Sequence, residues 1–170
     1  MEWRMVFRRS PSRWVTLVGD TAQTSAPAGV DAWAETLEPF VGGRFRHHQL
    51  TVNYRTPEPI TEVANRLLAL IDPHAEPATA IRPGEPVTYH RLTEEEAERP
   101  AAGIGSTADG RLRAVIDSSN VEEIKGLEFD HVVIVDPQTI VAASPQGLQN
   151  LYVALTRATQ TLTVYGELPA

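Results

Sequence analysis

From His131 to Val135 the chain reads His-Val-Val-Ile-Val and then stops on Asp136-Pro137. A strand with water on one side alternates apolar and polar residues. A run that is β-branched at nearly every position fits a strand buried on both faces, as in a parallel sheet covered by helices. Arg111 to Asp117 reads as a second buried strand, and Trp14 to Val18, closing on Gly19-Asp20, as a third. In the stretch Asn150 to Ala158, Leu148, Leu151, Tyr152 and Leu155 recur at helical spacing, which gives one apolar face to lay on a sheet and carries Arg157 to the rim of the core. Thr161 to Tyr165 follows as a strand. Strands alternating with helices along the whole chain predict an α/β fold with a mainly parallel sheet.

The other segments fill in this plan. Met1 to Arg9 suits a short amphipathic helix stopped by Ser10-Pro11-Ser12, and Val30 to Phe40 a helix with Trp33 and Leu37 facing inward, after a loop from Thr21 to Gly29. Gly42-Gly43 is a break and the expected domain boundary, dividing the chain into 1–41 and 42–170. His48 to Val52 reads as a strand leading into Asn53-Tyr54-Arg55. Thr56 is then the expected N-cap and Pro57 the first position of a helix running to about Ile71. Pro73, Pro77 and Pro83 mark Asp72 to Gly84 as a linker. Pro86 to Leu92 alternates like a strand, Glu94 to Arg99 is a short acidic helix start, and Pro100 to Gly110 is a small-residue loop.

Composition excludes several classes. A net charge of -7 argues against nucleic-acid binding driven by bulk charge, so any such ligand must be held by a few placed groups. With no cysteine there is neither a disulfide framework nor a thiolate metal site. The histidines His47, His48, His74, His90 and His131 show no metal-ligand spacing, and no metal site is expected. No apolar run approaches a bilayer's thickness, so the expectation is a soluble, intracellular, cytoplasmic protein without a membrane partner. Trp3, Trp14 and Trp33 read as packing residues.

The polar groups that fall at strand ends or helix termini are Asp20, Gln23, Tyr54, Arg55, Lys125, Glu128 and Arg157, with Gly126 freeing the backbone between the lysine and the glutamate. Two arginines, a lysine, a glutamine, an aromatic ring and two carboxylates suit a nucleoside triphosphate: guanidinium forks grip phosphate oxygens and a ring stacks on a base. Taken singly each has a plainer reading. Arg55 and Arg157 fit surface salt bridges, Arg157 a cation at a helix C-terminus, Tyr54 a core residue, Gln23 and Glu128 ordinary loop positions.

Four stretches in fixed order give a more specific expectation. Gly19-Asp20-Thr21-Ala22-Gln23, Leu50-Thr51-Val52-Asn53-Tyr54-Arg55-Thr56, Lys125-Gly126-Leu127-Glu128-Phe129-Asp130 and Leu151-Tyr152-Val153-Ala154-Leu155-Thr156-Arg157-Ala158 resemble the third to sixth motifs of UvrD/Rep-type superfamily 1 helicase-like ATPases, and most of all their HelD branch, which engages RNA polymerase. The resemblance implies a P-loop NTPase, RecA-like three-layer sandwich: 1–41 as the tail of a first RecA-like domain, 42–170 as the second. It implies Gln23, Arg55 and Arg157 as catalytic residues, the glutamine sensing and the arginines contacting the γ-phosphate. Tyr54 stacks on adenine and Glu128 meets the ribose, with Asp20, Lys125 and Gly126 also at the nucleotide. ATP and Mg2+ are the implied cofactors. The implied partners are the first RecA-like domain of the same protein and single-stranded or duplex DNA, with RNA polymerase the partner on the HelD alternative. A non-enzymatic interaction domain is the third alternative.

Departures from the family pattern accompany the match. No Gly-x-x-x-x-Gly-Lys-Ser/Thr loop and no Asp-Glu pair ahead of Gly19 occur, so this chain by itself is expected not to hydrolyse ATP. Thr24-Ser25-Ala26-Pro27-Ala28-Gly29 stands where the unwinding helicases carry aromatic residues that stack on DNA, and Asn120 and Glu122 replace a threonine and a histidine ahead of Lys125. Both departures lean towards the HelD branch.

Overall fold

The computed structural model describes residues 3–12, 14–23, 33–92 and 100–169. Its centre is a five-stranded sheet built from β3 (Thr88–His90), β4 (Gly103–Ser106), β5 (Leu112–Ile116), β6 (Phe129–Val135) and β7 (Ala158–Tyr165), in the order β3-β7-β6-β5-β4. The strands β3, β7, β6 and β5 run parallel, and β4 closes the far edge antiparallel to β5. The fold is therefore α/β with a mainly parallel sheet. The β-branched run lies on β6, between two parallel neighbours, with Val132 to Val135 all buried.

Alternate residues along the strands face two different environments. Ala114, Ile116, Val132, Ile134, Leu162 and Val164 pack against α3 (Glu58–Ile71), α4 (Pro137–Ala142) and α5 (Gly147–Leu155), which together form the main core. Val115, Val133 and Val135 face the other way and are covered by Leu92 and Tyr165. The acidic helix start predicted at Glu94 to Arg99 lies outside the described residues. The helix α3 buries Ile60, Val63, Ala64 and Leu67, the i, i+3, i+4, i+7 stripe expected of a helix on a sheet. Burying such a stripe stabilises the domain by roughly 1.5–3 kcal/mol for each large aliphatic side chain.

Two further helices precede this unit. The helices α1 (Trp3–Arg9) and α2 (Trp33–Val41) lie side by side, joined by an edge-on Trp3–Trp33 contact and a stacked Phe7–Phe40 pair. After α2 the chain turns through Gly42 and Gly43, both at positive φ. Among the described residues, nothing before Gly42 contributes a strand to either sheet.

Several expectations are corrected. Trp14 to Val18 forms no regular element and has no strand partner among the described residues, and Trp14 and Val18 are 91% and 90% exposed. A β-branched run becomes a strand only when another strand takes its hydrogen bonds, and none among the described residues does so. Trp14 is thus not a packing residue. His48 to Val52 is likewise almost strand-free: only β1 (Val52–Asn53) pairs, in parallel, with β2 (Thr79–Ala80). That pairing also means that Asp72 to Gly84 is not merely a linker. Pro100 to Gly110 contains β4, hidden in the sequence because Gly-Ile-Gly-Ser carries little strand propensity. The predicted helix at Asn150 to Ala158 ends at Leu155, and Ala158 already belongs to β7. Finally, Thr56 does not cap α3. Pro57 occupies that position, and the Thr56 hydroxyl is buried without a partner.

Candidate functional site

Arg157 sits at the corner between α5 and β7. The helix stops because Thr156 turns its hydroxyl back on the carbonyls of Tyr152 and Val153, both at 3.0 Å, and its N–H donates to Tyr152 O at 3.1 Å. Arg157 O then accepts from Phe129 N at 3.0 Å, which fixes the arginine beside the start of β6. Its side chain folds back rather than outward: Nε donates to Val153 O at 3.2 Å, Nη1 to Leu127 O at 3.4 Å and Nη2 to Gln23 Oε1 at 3.3 Å. The residue is only 6% exposed, so the expected cation at an open rim is in fact covered. The cover is the 3-10 turn Thr21–Gln23, which rests on α5 with Ala22 buried. Burial, together with the neighbouring Arg55, pushes the Arg157 guanidinium below its ordinary pKa, while Glu128, Asp20 and Tyr152 work in the other direction.

Asp20 organises that turn. One carboxylate oxygen accepts from Ala22 N at 2.9 Å and the other from Gln23 Nε2 at 2.8 Å. With its amide nitrogen so engaged, Gln23 presents its oxygen to Arg157. The segments that carry Arg55 and Glu128 lie near enough to act on Arg157 electrostatically. Asn53 Oδ1 accepts from the N–H groups of Arg55, at 3.1 Å, and Thr56, at 3.0 Å, bending the chain between β1 and α3 so that Arg55 projects towards the Lys125–Glu128 loop. There Arg55 Nη1 is ion-paired with Glu128 Oε1, both side chains being half-exposed. Gly126 has φ +78, a left-handed turn that a side chain adopts only under strain, and it reverses the loop between Lys125 and Glu128.

Asp20, Gln23, Arg55, Glu128 and Arg157 thus come from four separate segments into one connected group. Two cations stand close enough to repel, offset by two carboxylates. The guanidinium groups retain donor capacity: Arg55 Nε is buried with no partner, and both terminal amines of Arg157 hold contacts at the long end of the hydrogen-bond range. Tyr54 is 74% exposed beside Arg55 and is therefore not a core residue. Lys125 is exposed on the same loop as Glu128. Asn120, in contrast, is engaged internally: it accepts from Asp117 N and donates to Val115 O, at 3.0 and 2.9 Å, closing the loop that precedes Lys125. One residue escaped the sequence reading. Arg82 donates through Nη1 to Arg55 O at 2.5 Å, a side-chain-to-backbone contact across 27 positions that no local pattern announces.

The sequence from residue 2 to residue 166 matches the family model described as the viral superfamily 1 RNA helicase core domain. The chain belongs to this helicase family. Comparison with individual curated proteins gave no match. Superfamily 1 helicase cores use a nucleoside triphosphate and Mg2+, and the two parts of that pair fit this site unequally. The orphaned Arg55 Nε and the two converging guanidinium groups fit phosphate oxygens. Among the described residues no group of three His, Asp or Glu side chains could hold a metal ion. No helix among the described residues is long and apolar enough to cross a membrane.

Tyr152 gives this cluster a spectroscopic handle. Burial, then the charge of Asp20, raise its phenol to about 12, with Arg157 opposing. A raised phenol pKa means that the neutral form is favoured in the fold, so this contribution to stability is complete below the unfolded value near 10 and is lost as pH rises through about 12. In an absorbance titration of the four tyrosines, one is expected to ionise near 12, and Tyr152→Phe to remove that phase. Absence of a phase near 12 would show that the α5 face is open to solvent.

Proposed function

We propose that this chain is the second motor half of an ATP-dependent nucleic-acid translocase or helicase of the UvrD/Rep type, with residues 1–41 belonging to the first RecA-like domain. The observation that carries the proposal is the convergence of Arg55 and Arg157, 102 positions apart in sequence, on one group that also holds Gln23 and Glu128. Arg157 and Arg55 neutralise charge that develops on the γ-phosphoryl group during transfer to water. Gln23, oriented by Asp20, couples Arg157 to the other side of the cleft, where it reads whether the γ-phosphate is present. Glu128 leaves Arg55 to accept the ribose hydroxyl when the nucleotide enters. Tyr54, exposed at the edge, offers its ring to the base, and Lys125 and Gly126 line the turn beneath the phosphates. The chain contains no phosphate-cradling loop, so hydrolysis requires a partner domain that supplies it. Without that domain the chain is inactive.

The test is ATP turnover in a protein that joins this chain to such a domain. Single-stranded DNA is expected to stimulate turnover, and Arg55→Ala to lower it by at least about 10²-fold. Because the family description names RNA helicases, single-stranded RNA belongs in the same assay, and stimulation by RNA alone would replace DNA as the substrate. Turnover indifferent to Arg55→Ala would remove the arginine from the mechanism.

A second reading is an ATPase module of an RNA polymerase-recycling factor of the HelD type. It is supported by Asn120, engaged within its own loop rather than offered to a strand, and by the absence of aromatic residues from Thr24 to Gly29. Co-purification with RNA polymerase, combined with weak separation of forked duplexes, would favour it over the translocase.

A further inference from the structure

The stretch from Thr79 to Gly84 clamps the turn that carries Arg55. It is held alongside by Thr79 N donating to Thr51 O at 2.6 Å and by Ile81 N donating to Asn53 O at 3.1 Å. Arg82 O then accepts from Glu58 N, at 2.8 Å, and its guanidinium donates to Arg55 O. Two residues on, Gly84 abuts the start of α3 so closely that a Cβ there would lie 2.4 Å from Pro57 Cβ. The backbone of Arg55 is therefore pinned at both ends, its N–H by Asn53 and its carbonyl by Arg82. Its side chain, by contrast, has Glu128 as its ion-pair partner and a buried, unpartnered Nε. When Glu128 turns to the ribose, what remains to aim the Arg55 guanidinium is the peptide that bears it. A second arginine in this place is informative. Like charges disfavour close approach, yet half-buried Arg82 lies beside Arg55 with no carboxylate bound to it among the described residues, one terminal amine donating to a backbone carbonyl.

We infer that Arg82 is a positioning residue for phosphate recognition: it fixes the Arg55 peptide so that the Arg55 guanidinium meets the anion, and does not bind the anion itself. This rests on the proposal that Arg55 contacts phosphate. It adds to that proposal a residue from a stretch whose prolines mark it as connecting chain.

The experiment titrates inorganic tripolyphosphate into the 170-residue chain, followed by amide chemical shifts, in a double-mutant cycle. Arg82→Ala is expected to weaken binding about tenfold, the size of one charge-assisted hydrogen bond, with little change in melting temperature. Arg82→Gln, which keeps a donor for the carbonyl without the charge, is expected to recover most of the loss. In an Arg55→Ala background, Arg82→Ala should have no further effect. Additive losses, or no recovery in Arg82→Gln, would mean that Arg82 binds the anion through its own charge, which overturns the positioning role. Arg55-dependent binding that Arg82→Ala leaves intact overturns it as well. A native chain that does not bind tripolyphosphate, or binds it equally well after Arg55→Ala, overturns the phosphate reading and the role of Arg82 with it. If Arg82→Ala does not fold, Arg82→Gln in the two Arg55 backgrounds decides by itself: tight, Arg55-dependent binding supports the positioning role, and its loss overturns it.

Discussion

Replacing Arg157 by alanine, in a protein that joins this chain to a phosphate-loop domain, is expected to lower ATP turnover by about 10³-fold or more, the range in which a positioned arginine acts on phosphoryl transfer. The fold should survive the change. Val153 O, which loses the Arg157 Nε donor, still faces the Thr156 hydroxyl at 3.0 Å, so the end of α5 stays satisfied. Leu127 is itself 43% exposed, so water can replace the guanidinium at its carbonyl, and the stability loss should be about 1–3 kcal/mol. Arg157→Lys is the sharper variant. It retains the charge but gives up the fork that meets Val153 O, Leu127 O and Gln23 at once, so it should recover little turnover. Steady-state kinetics and a thermal melt on the same preparations check both halves. Near-native turnover in Arg157→Ala would leave the arginine as a structural bridge between α5 and the turn at Gln23.

How much of this was legible in the sequence depended on whether a feature is local. The buried strand at His131 to Val135 is set by its own β-branched run and the helix to Ile71 by the proline that opens it, and the structure places both as expected. Trp14 to Val18 and Leu50 misled because a strand is a property of a pair, and β-branched composition does not say whether a partner is present. Gly103 to Ser106 misled in the opposite sense: its strand is made by the ladder to β5, which glycine permits but does not advertise. The candidate site was legible as a set of residues, through four motifs in order, but its electrostatics were not. Nothing in the spacing of Arg157 shows that the turn at Gln23 folds over it, or that Glu128 pairs with Arg55. Arg82 was invisible for the same reason. Its work is to bind a backbone carbonyl of a distant turn, and a side-chain-to-carbonyl contact leaves no periodic trace.

Gly147→Ala is expected to be the most damaging small substitution in the helical layer, at about 3 kcal/mol. A Cβ built at this position lies 2.0 Å from Val141 O and within 2.6 Å of two further backbone atoms of that residue. Its φ lies outside the left-handed region, so the requirement is for space and not for an unusual backbone. The start of α5 rests directly on the last turn of α4, and Gly147 N donates to Ser144 O at 2.9 Å across the tight connection. A methyl group can fit only if α4 and α5 separate. That separation loosens Ile140 and Leu151, both fully buried between the helices and the sheet. It also displaces the helix that leads into Arg157, so anion binding should weaken together with stability. Gly105→Ala is the control, since a Cβ there meets no atom within 4 Å and the residue lies on the edge strand β4. It should stay within about 0.5 kcal/mol of the native chain. Urea unfolding distinguishes the two through a shift of midpoint at constant slope. A Gly147→Ala midpoint equal to that of Gly105→Ala would show that α4 yields freely, and that the corner bearing Arg157 is held from the sheet alone.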